Sequence, residues 1–255
     1  MRALVCVKRV PLTGGRILLS DDALSLDTRH LGFTISPHEE CGVEEAVRLI
    51  ESDGGETVAL CLGPPQAVEQ LRETMALGID RSIHLVTDEH EWDPQATAAA
   101  ITEAIRADEA EHGPFDLIFF GNEAADSGNY QVGIRVAHAL SRPVATGLKG
   151  VAVEGSEVRC ERESGAGRDV YRLSLPAVVT VKEGLNLPRF PSVPAKLRAQ
   201  KKPVAGSEPT RPEPRLQKLR LVHPEGEAKQ AEILGQGAAA APRVVEVLKE
   251  LGLAR

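Results

Sequence analysis

The sequence predicts an α/β fold built on a mainly parallel, doubly wound sheet, and three observations support that prediction. Short unbroken apolar runs, which are typical of strands buried on both faces, recur through the first half of the chain. Segments with helical spacing of apolar residues separate these runs, as in right-handed βαβ units. The 255 residues, 42% of them apolar, are enough to bury a sizeable core.

The strands of the first half are predicted at residues 3–7, 57–62, 82–86 and 117–120. The helix after the first strand is the one with the clearest start. Ser36 is a suitable N-cap, Pro37 suits the first helical position, and Glu39 can complete a capping box. Further helices are expected after Gly63-Pro64, Asp93 and Gly133.

The second half of the chain predicts an insertion and an arm. Residues 151–153, 157–163 and 168–175 are strand-like, and glycines at 165 and 167 indicate a hairpin between the last two segments. Residues 177–181 predict a buried strand that returns to the main sheet. From 203 to 240, prolines and an Ala/Gly stretch interrupt any sustained period, so we expect an arm or linker. An amphipathic helix between Pro242 and Gly252 is predicted to end it.

The composition argues against several classes of protein. The formal net charge is −7 and only eight residues are aromatic, whereas a dedicated nucleic-acid binder shows a basic excess and stacking platforms. Uncharged stretches fall short of the ~18 apolar residues that a transmembrane helix needs. Four single cysteines without a C-x-x-C pair predict buried free thiols in a reduced, cytoplasmic protein.

Catalytic side chains are not predicted. The seven histidines show no metal-ligand spacing, and no G-x-S-x-G elbow occurs. Cys6 and Cys61 are expected to be packing thiols in buried strands. The pair Glu44-Glu45 is predicted to lie on a solvated outer face of the first helix rather than to form an acid–base pair.

Ligands of open parallel sheets bind at the carboxyl ends of strands, where loops 8–11, 62–64 and 121–133 are the candidates. The third loop is long, polar and glycine-spaced, and it leads into a helix whose first N–H groups would suit a phosphate. In contrast, Glu39 and Glu40 in the first turn of the first helix disfavour an anion there. Neither a P-loop nor a dinucleotide fingerprint occurs, so no motif names a cofactor.

A proline-stiffened apolar segment between residues 181 and 204 has two interpretations. Prolines at 188, 191 and 194 restrict the backbone. The apolar residues Leu187, Phe190 and Val193 lie between them, and basic residues follow from Lys196 onward. The segment is either a surface turn before a short solvated helix or a preorganised loop that presents an apolar anchor in a basic rim.

Motifs along the chain carry a resemblance to a known family. They are Val-Lys-Arg-Val at 7–10, Val-Glu-Glu-Ala-Val-Arg-Leu at 43–49, Gly63-Pro64, residues 75–84, the loop 121–133, Leu-Pro-Ala-Val-Val-Thr at 175–180, Asn-Leu-Pro-Arg-Phe-Pro-Ser at 186–192 and Lys-Lys-Pro at 201–203. In their order they resemble the β subunit of electron transfer flavoproteins, the group that includes the FixA proteins. The resemblance runs from Leu4 to about Lys202, with a weaker match in the final helix.

The resemblance implies a fold like that of adenine-nucleotide α-hydrolases and a noncatalytic electron-carrier subunit. It implies a heterodimer with an α subunit that holds most of the site for the redox FAD. The complex would accept electrons from flavin dehydrogenases, such as acyl-CoA dehydrogenases, and pass them through a quinone reductase toward the quinone pool. Residues 1–202 would form the nucleotide-binding domain, with a recognition loop at 184–198. Residues 203–255 would form an arm and helix that dock on the α subunit.

The resemblance also implies a nucleotide in this subunit, usually AMP, with a second FAD in electron-bifurcating members. The pocket residues carried over are Cys6, Lys8, Ser36, Pro37, Leu62, Gly63, Asp126, Tyr130, Gln131, Val132 and Gly133. The partner-binding residues carried over are Leu187, Phe190, Val193 and Lys196, with Val193 at an anchor position that is often leucine in the family.

The identity of the nucleotide stays open in the sequence. AMP-binding members commonly have Gln-Thr-Gly where this chain has Gln-Val-Gly at 131–133, and many bifurcating members have Asp-Gly-Asp-Thr where this chain has Asp-Ser-Gly-Asn at 126–129. We favour AMP, because backbone N–H groups at a helix start need no particular side chain. A stand-alone adenine-nucleotide-binding module of the universal-stress type and an adenylating enzyme are the alternatives from other classes. The first should lack the proline-rich loop and the arm, and the second should carry a phosphate-grasping Gly/Ser motif.

Overall fold

The computed structural model describes residues 1–12, 14, 17–88, 91–223 and 232–254, and its architecture is the predicted α/β fold. The strands are, in chain order, β1 (Arg2–Val7), β2 (Val10–Pro11), β3 (Phe33–Thr34), β4 (Glu56–Gly63), β5 (Arg81–Val86), β6 (Leu117–Gly121), β7 (Val144–Leu148), β8 (Gly150–Glu154), β9 (Glu157–Ser164), β10 (Gly167–Ser174), β11 (Ala177–Val181) and β12 (Val204–Ser207). The helices are α1 (Pro37–Asp53), α2 (Val68–Leu77), α3 (Pro94–His112), α4 (Val132–Ala139), α5 (Val193–Ala199) and α6 (Ala241–Glu250). Of the predicted arm, residues 224–231 and 255 lie outside the described residues.

The central sheet has seven strands in the order β12-β5-β4-β1-β6-β11-β7, and all neighbours in it are parallel. Parallel neighbours need crossover connections, and helices therefore cover both faces. After β1 the chain places β4 and β5 on one side of β1, and it later places β6 on the other side. The strand order reverses between β1 and β6, which is the kind of position where open sheets bind ligands.

Alternate residues of the strands point into two separate cores, so that the domain has three layers. Val5 of β1 packs in the core that α1 and α2 cover, together with Val47 and Leu71. Leu4, one position earlier, packs in the opposite core with Ile105 of α3. Because both faces are buried, these strands have the unbroken apolar sequences from which they were predicted.

Charged side chains join the amino ends of three strands to α3. Arg2 of β1 and Arg81 of β5 donate hydrogen bonds to the carboxylate of Asp108 at 2.8 and 2.7 Å. Both arginines also contact Glu56 of β4. The Asp108 side chain is 6% exposed, and the two guanidinium groups compensate a charge that would be costly to bury alone.

The predicted hairpin insertion is confirmed. β8, β9 and β10 form an antiparallel sheet that packs beside β7. Gly165, in the turn between β9 and β10, has φ +56°, a conformation that glycine adopts without strain. The chain then enters the central sheet as β11, between β6 and β7, as the buried run at 177–181 predicted.

The prediction that regular structure ends at Lys202 is wrong for the residues that follow directly. β12 pairs with β5 and extends the main sheet by one edge strand. Its sequence, Val-Ala-Gly-Ser, has a single large apolar residue, so no alternation indicated a strand. The terminal helix is confirmed as α6, which ends just before Gly252 at φ +70°.

Candidate functional site

Charged side chains meet where the strand order reverses. Lys8 follows β1, and its Nζ lies 2.7 Å from Oδ2 of Asp126 in the loop after β6. Val7 is in register with Cys61 of β4, so Lys8 also lies beside the end of β4 at Leu62. The three loops that the sequence singled out therefore begin at one edge of the sheet.

The first turn of α1 reaches the same edge through a buried carboxyl group. The predicted capping box is present, because Ser36 Oγ accepts the N–H of Glu39 and the Glu39 carboxyl accepts the N–H of Ser36, at 3.3 and 3.1 Å. The other carboxyl oxygen of Glu39 accepts the N–H of Lys8 at 3.1 Å. Burial raises the pKa of Glu39 to about 8, although both N–H groups act in the opposite direction. Burial thus disfavours a negative charge on Glu39, whereas the two N–H groups favour it.

Helix α4 begins without a side-chain cap. Its N-cap residue, Gln131, makes no capping hydrogen bond, and its side-chain oxygen accepts from the guanidinium of Arg135. A helix start of this kind leaves backbone donors and the positive end of the helix dipole for an anion. Gly133 in the first turn packs on Phe120, where a Cβ would lie 3.0 Å from the ring. The glycine is therefore required for the packing of α4 on β6, whatever α4 binds.

The other predicted pocket residues differ in what they offer a ligand. The side chains of Cys6 and Ser36 are buried, and the Ser36 hydroxyl is occupied by the capping hydrogen bond, so these positions offer backbone groups. Pro37, Tyr130 and Gln131 are exposed, Lys8, Leu62 and Val132 are half-buried, and Gly63 is buried. That these residues bind a nucleotide stays a prediction.

Sequence reasoning missed that part of the arm reaches this edge. Nζ of Lys218 lies 2.5 Å from the carboxylate of Glu91, whose other oxygen lies 3.8 Å from Nζ of Lys8. The N–H of Arg215 donates to Asp93 at 2.9 Å. These are single polar contacts, which leave no periodic signal in the sequence, so no pattern could have indicated them.

The predicted recognition loop exposes its apolar side chains. Leu187, Phe190 and Val193 are 83, 96 and 72% exposed. Val193 begins α5, which Ser192 caps, and the exposed Lys196 lies one turn further along. The segment is therefore a surface turn before a short helix, and it also presents an apolar patch beside basic residues. The two interpretations from the sequence do not exclude each other.

The prediction that Glu44 lies on a solvated face is wrong. Its side chain is 3% exposed, because the loop after β11 covers the outer face of α1. Arg189 of that loop donates its main-chain N–H and its Nε to the Glu44 carboxylate at 3.1 and 2.9 Å, and Arg48 contacts it at 2.5 Å. Burial opposes the charge, but these hydrogen bonds outweigh it and lower the pKa of Glu44.

Among the described residues, no group of three or more His, Cys, Asp or Glu side chains could hold a metal ion. Cys6, Cys41, Cys61 and Cys160 are free and buried, as predicted, and burial raises the pKa of Cys61 to about 12. No helix in the described ranges has the length and apolar character needed to cross a membrane.

Comparison with known proteins defines the class and then the family. A model described as "Electron transfer flavoprotein domain" matches residues 23–211. The chain is 32% identical over 250 residues to the electron transfer flavoprotein subunit beta of Syntrophomonas wolfei, which covers 98% of this chain and 96% of the relative. It is 36% identical over 209 residues to the subunit beta of Mus musculus and 32% over 206 residues to that of Bacillus subtilis, each covering 80% of this chain. The fold and these matches define an electron-carrying flavoprotein component. The chain belongs to the family of electron transfer flavoprotein β subunits.

The raised pKa of Glu39 predicts that stability falls as the pH rises. Between about pH 5 and pH 8 the Glu39 carboxyl group holds a proton in the folded state, whereas in the unfolded state, with the ordinary pKa of 4.5, it has released that proton. The free energy of unfolding therefore declines as the pH rises through this range. Glu39→Gln cannot ionise and should flatten this decline, as measured by urea unfolding at several pH values. Glu111→Gln, at a side chain that is 78% exposed, should retain the wild-type pH dependence. An unchanged decline in Glu39→Gln would show that Glu39 is ionised in the folded state.

Proposed function

We propose that this chain is the β subunit of a heterodimeric electron transfer flavoprotein that takes electrons from flavin dehydrogenases, such as acyl-CoA dehydrogenases, and passes them through a quinone reductase toward the quinone pool. The observation that carries the proposal is the exposed apolar loop from Leu187 to Val193 on a member of this family. Apolar side chains on a restricted surface loop are suited to docking on another protein. The redox FAD, held mainly by the α subunit, would accept and donate the electrons, and no side chain of this chain would act catalytically.

We propose further that the sheet edge holds one adenine nucleotide, with AMP preferred and a second FAD as the alternative. The residues that support a phosphate there are Lys8, whose ammonium group lies at this edge in an ion pair with Asp126, and the uncapped start of α4 at Val132 and Gly133. The raised pKa of Glu39 supports the same proposal, because it reduces the negative charge beside Lys8, where the carboxylates of Asp126 and Glu91 also lie. The nucleotide would act as a structural ligand, and its stabilisation of the folded state would rise with the logarithm of the ratio of its concentration to the dissociation constant.

The nucleotide site is tested by Gln131→Glu. The substitution keeps the size of an exposed side chain and places a carboxylate at the start of α4, where it would repel a phosphate. We expect loss of most of the bound nucleotide, quantified by mass spectrometry of the extract from the co-expressed heterodimer. Gln95→Glu makes the same change in the first turn of α3, which Asp93 already caps, and should leave occupancy unchanged.

Two outcomes would alter this part of the proposal. Full nucleotide occupancy in Gln131→Glu would place the phosphate elsewhere. Two FAD molecules per wild-type heterodimer, instead of one FAD and one AMP, would establish the bifurcating alternative.

We propose that α6 docks on the α subunit. Its apolar residues Val244, Val245 and Leu248 are 40, 46 and 36% exposed, and none of its residues is buried against the described part of the chain. An amphipathic helix that leaves its apolar face uncovered is expected to pack on a partner.

The docking of α6 is tested by Leu248→Glu. A charge in the apolar face should weaken heterodimer formation by at least about tenfold, since burying an unpaired carboxylate in an interface is costly. The neighbouring substitution Lys249→Glu reverses a charge on an exposed residue of the same helix and should have a much smaller effect. Equal dissociation constants for Leu248→Glu and wild type, in a titration with the α subunit, would exclude this role of α6.

The proposed contact of residues 187–193 with the dehydrogenase is tested by Val193→Ala. If Val193 fills a pocket on the dehydrogenase, the loss of two methyl groups should slow electron transfer at low dehydrogenase concentration by about three- to tenfold. Flavin content, heterodimer stability and reduction of an artificial dye should stay unchanged. Val170→Ala makes the same substitution at a 51% exposed position of β10 and serves as the control. Unaltered transfer rates with several candidate dehydrogenases would remove Val193 from the docking surface.

A further inference from the structure

The middle of the recognition loop, residues 186–191, lacks the main-chain hydrogen bonds that normally hold a segment in place. In the described part of the chain, residues 186–191 form no hydrogen bond between main-chain groups, and they belong to no helix or strand. The prolines at 188 and 191 restrict two of these residues. The conformation of the loop must otherwise depend on side chains.

Side chains of α1 supply the first attachments. Nδ2 of Asn186 donates to the carbonyl of Cys41 and to the carboxylate of Glu45, at 3.0 and 2.9 Å. Nη2 of Arg48 donates to the carbonyl of Leu187 at 3.2 Å. The outer face of α1 therefore binds the first half of the loop.

Arg189 is the next attachment, and two carboxylates hold it. Its Nη1 and Nη2 donate to Glu51 at 2.6 and 2.8 Å, while its Nε and main-chain N–H donate to Glu44. The Glu44 carboxylate also binds Nε of Arg48, so it organises two attachments at once. The Glu51 side chain is 57% exposed and that of Glu44 is 3% exposed, so water and salt screen the contact with Glu51 far more.

We infer that Glu44 is a positioning residue for electron transfer: through Arg189 it holds residues 186–191 in one conformation, so that Phe190 and its apolar neighbours are already ordered when a partner dehydrogenase docks. The inference rests on the proposed function, because it assigns a purpose to the docking surface. A loop that is ordered beforehand loses less conformational entropy on binding and therefore binds more tightly. Glu44 itself is covered by the loop and would not touch the partner.

The test compares Glu44→Gln, Arg189→Gln and the double variant in the complete heterodimer, with electron transfer from an acyl-CoA dehydrogenase as the assay. We expect each single variant to raise KM for the dehydrogenase by about tenfold while kcat changes less than about twofold. In the double variant the rise in KM should be smaller than the product of the two single rises, because both substitutions remove the ion pair between Arg189 and Glu44. Hydrogen exchange of peptides that cover residues 186–191 should be faster in all three. Asp53→Asn, a charge change at the exposed end of α1, should match the wild type in each measurement.

Arg189→Gln tests the same ion pair if Glu44→Gln folds poorly, which flavin content and thermal unfolding would reveal. The positioning role would be overturned if the single variants kept the wild-type KM and the slow hydrogen exchange of residues 186–191. It would also be overturned if the rise in KM of the double variant equalled the product of the two single rises. Phe190→Ala separates this failure from that of the proposed function. If Phe190→Ala raises KM while the Glu44 and Arg189 variants do not, only the positioning role fails; if none of them changes KM, the loop is not a docking surface.

Discussion

Parallel strand pairing is the constraint on which the arrangement of this protein depends. A parallel neighbour cannot be reached by a tight turn, so each connection leaves one edge of the sheet and returns at the opposite edge. All seven central strands therefore end at the same edge. Three loops begin at this edge: one follows β1 at Lys8, one follows β6 after Gly121 and one follows β11 at Lys182. More than a hundred residues separate the first loop from the other two. Both the candidate nucleotide site and the recognition loop are consequences of this one geometry.

Helix α1 connects these two regions, because each of its faces has a different partner. Val43 and Val47 pack into the core beneath the sheet. His38, in the first turn, lies between the two loops: its Nε2 is 3.2 Å from the carboxylate of Glu123, and its Nδ1 accepts the N–H of Glu183 at 2.7 Å. The loop after β6 and the loop after β11 are thus joined through one imidazole on α1.

The sequence predicted the elements whose signals are local and missed those that depend on distant contacts. The buried strands, the capping box at Ser36 and the hairpin at Gly165 follow from neighbouring residues, and all are present. The burial of Glu44 could not be predicted, because it depends on Arg189, which lies 145 residues further along the chain. β12 was missed for a related reason. An edge strand is held mainly by main-chain hydrogen bonds, and these leave no pattern in the order of its side chains. The position of Lys8 at the carboxyl end of a strand could be predicted, but its contact with Asp126 could not.

Two acids of α1 show how the surroundings of a buried carboxyl group decide its charge. Glu39 and Glu44 are both almost fully buried, at 6 and 3% exposure. The donors that Glu39 meets among the described residues are main-chain N–H groups, and burial raises its pKa to about 8. Glu44 faces two guanidinium groups, and its pKa is lowered in spite of burial. The surroundings therefore shift the two pKa values in opposite directions, upward at Glu39 beside Lys8 and downward at Glu44 beneath the recognition loop. Both residues are glutamates, so the difference arises from the hydrogen-bond donors that surround each carboxyl group.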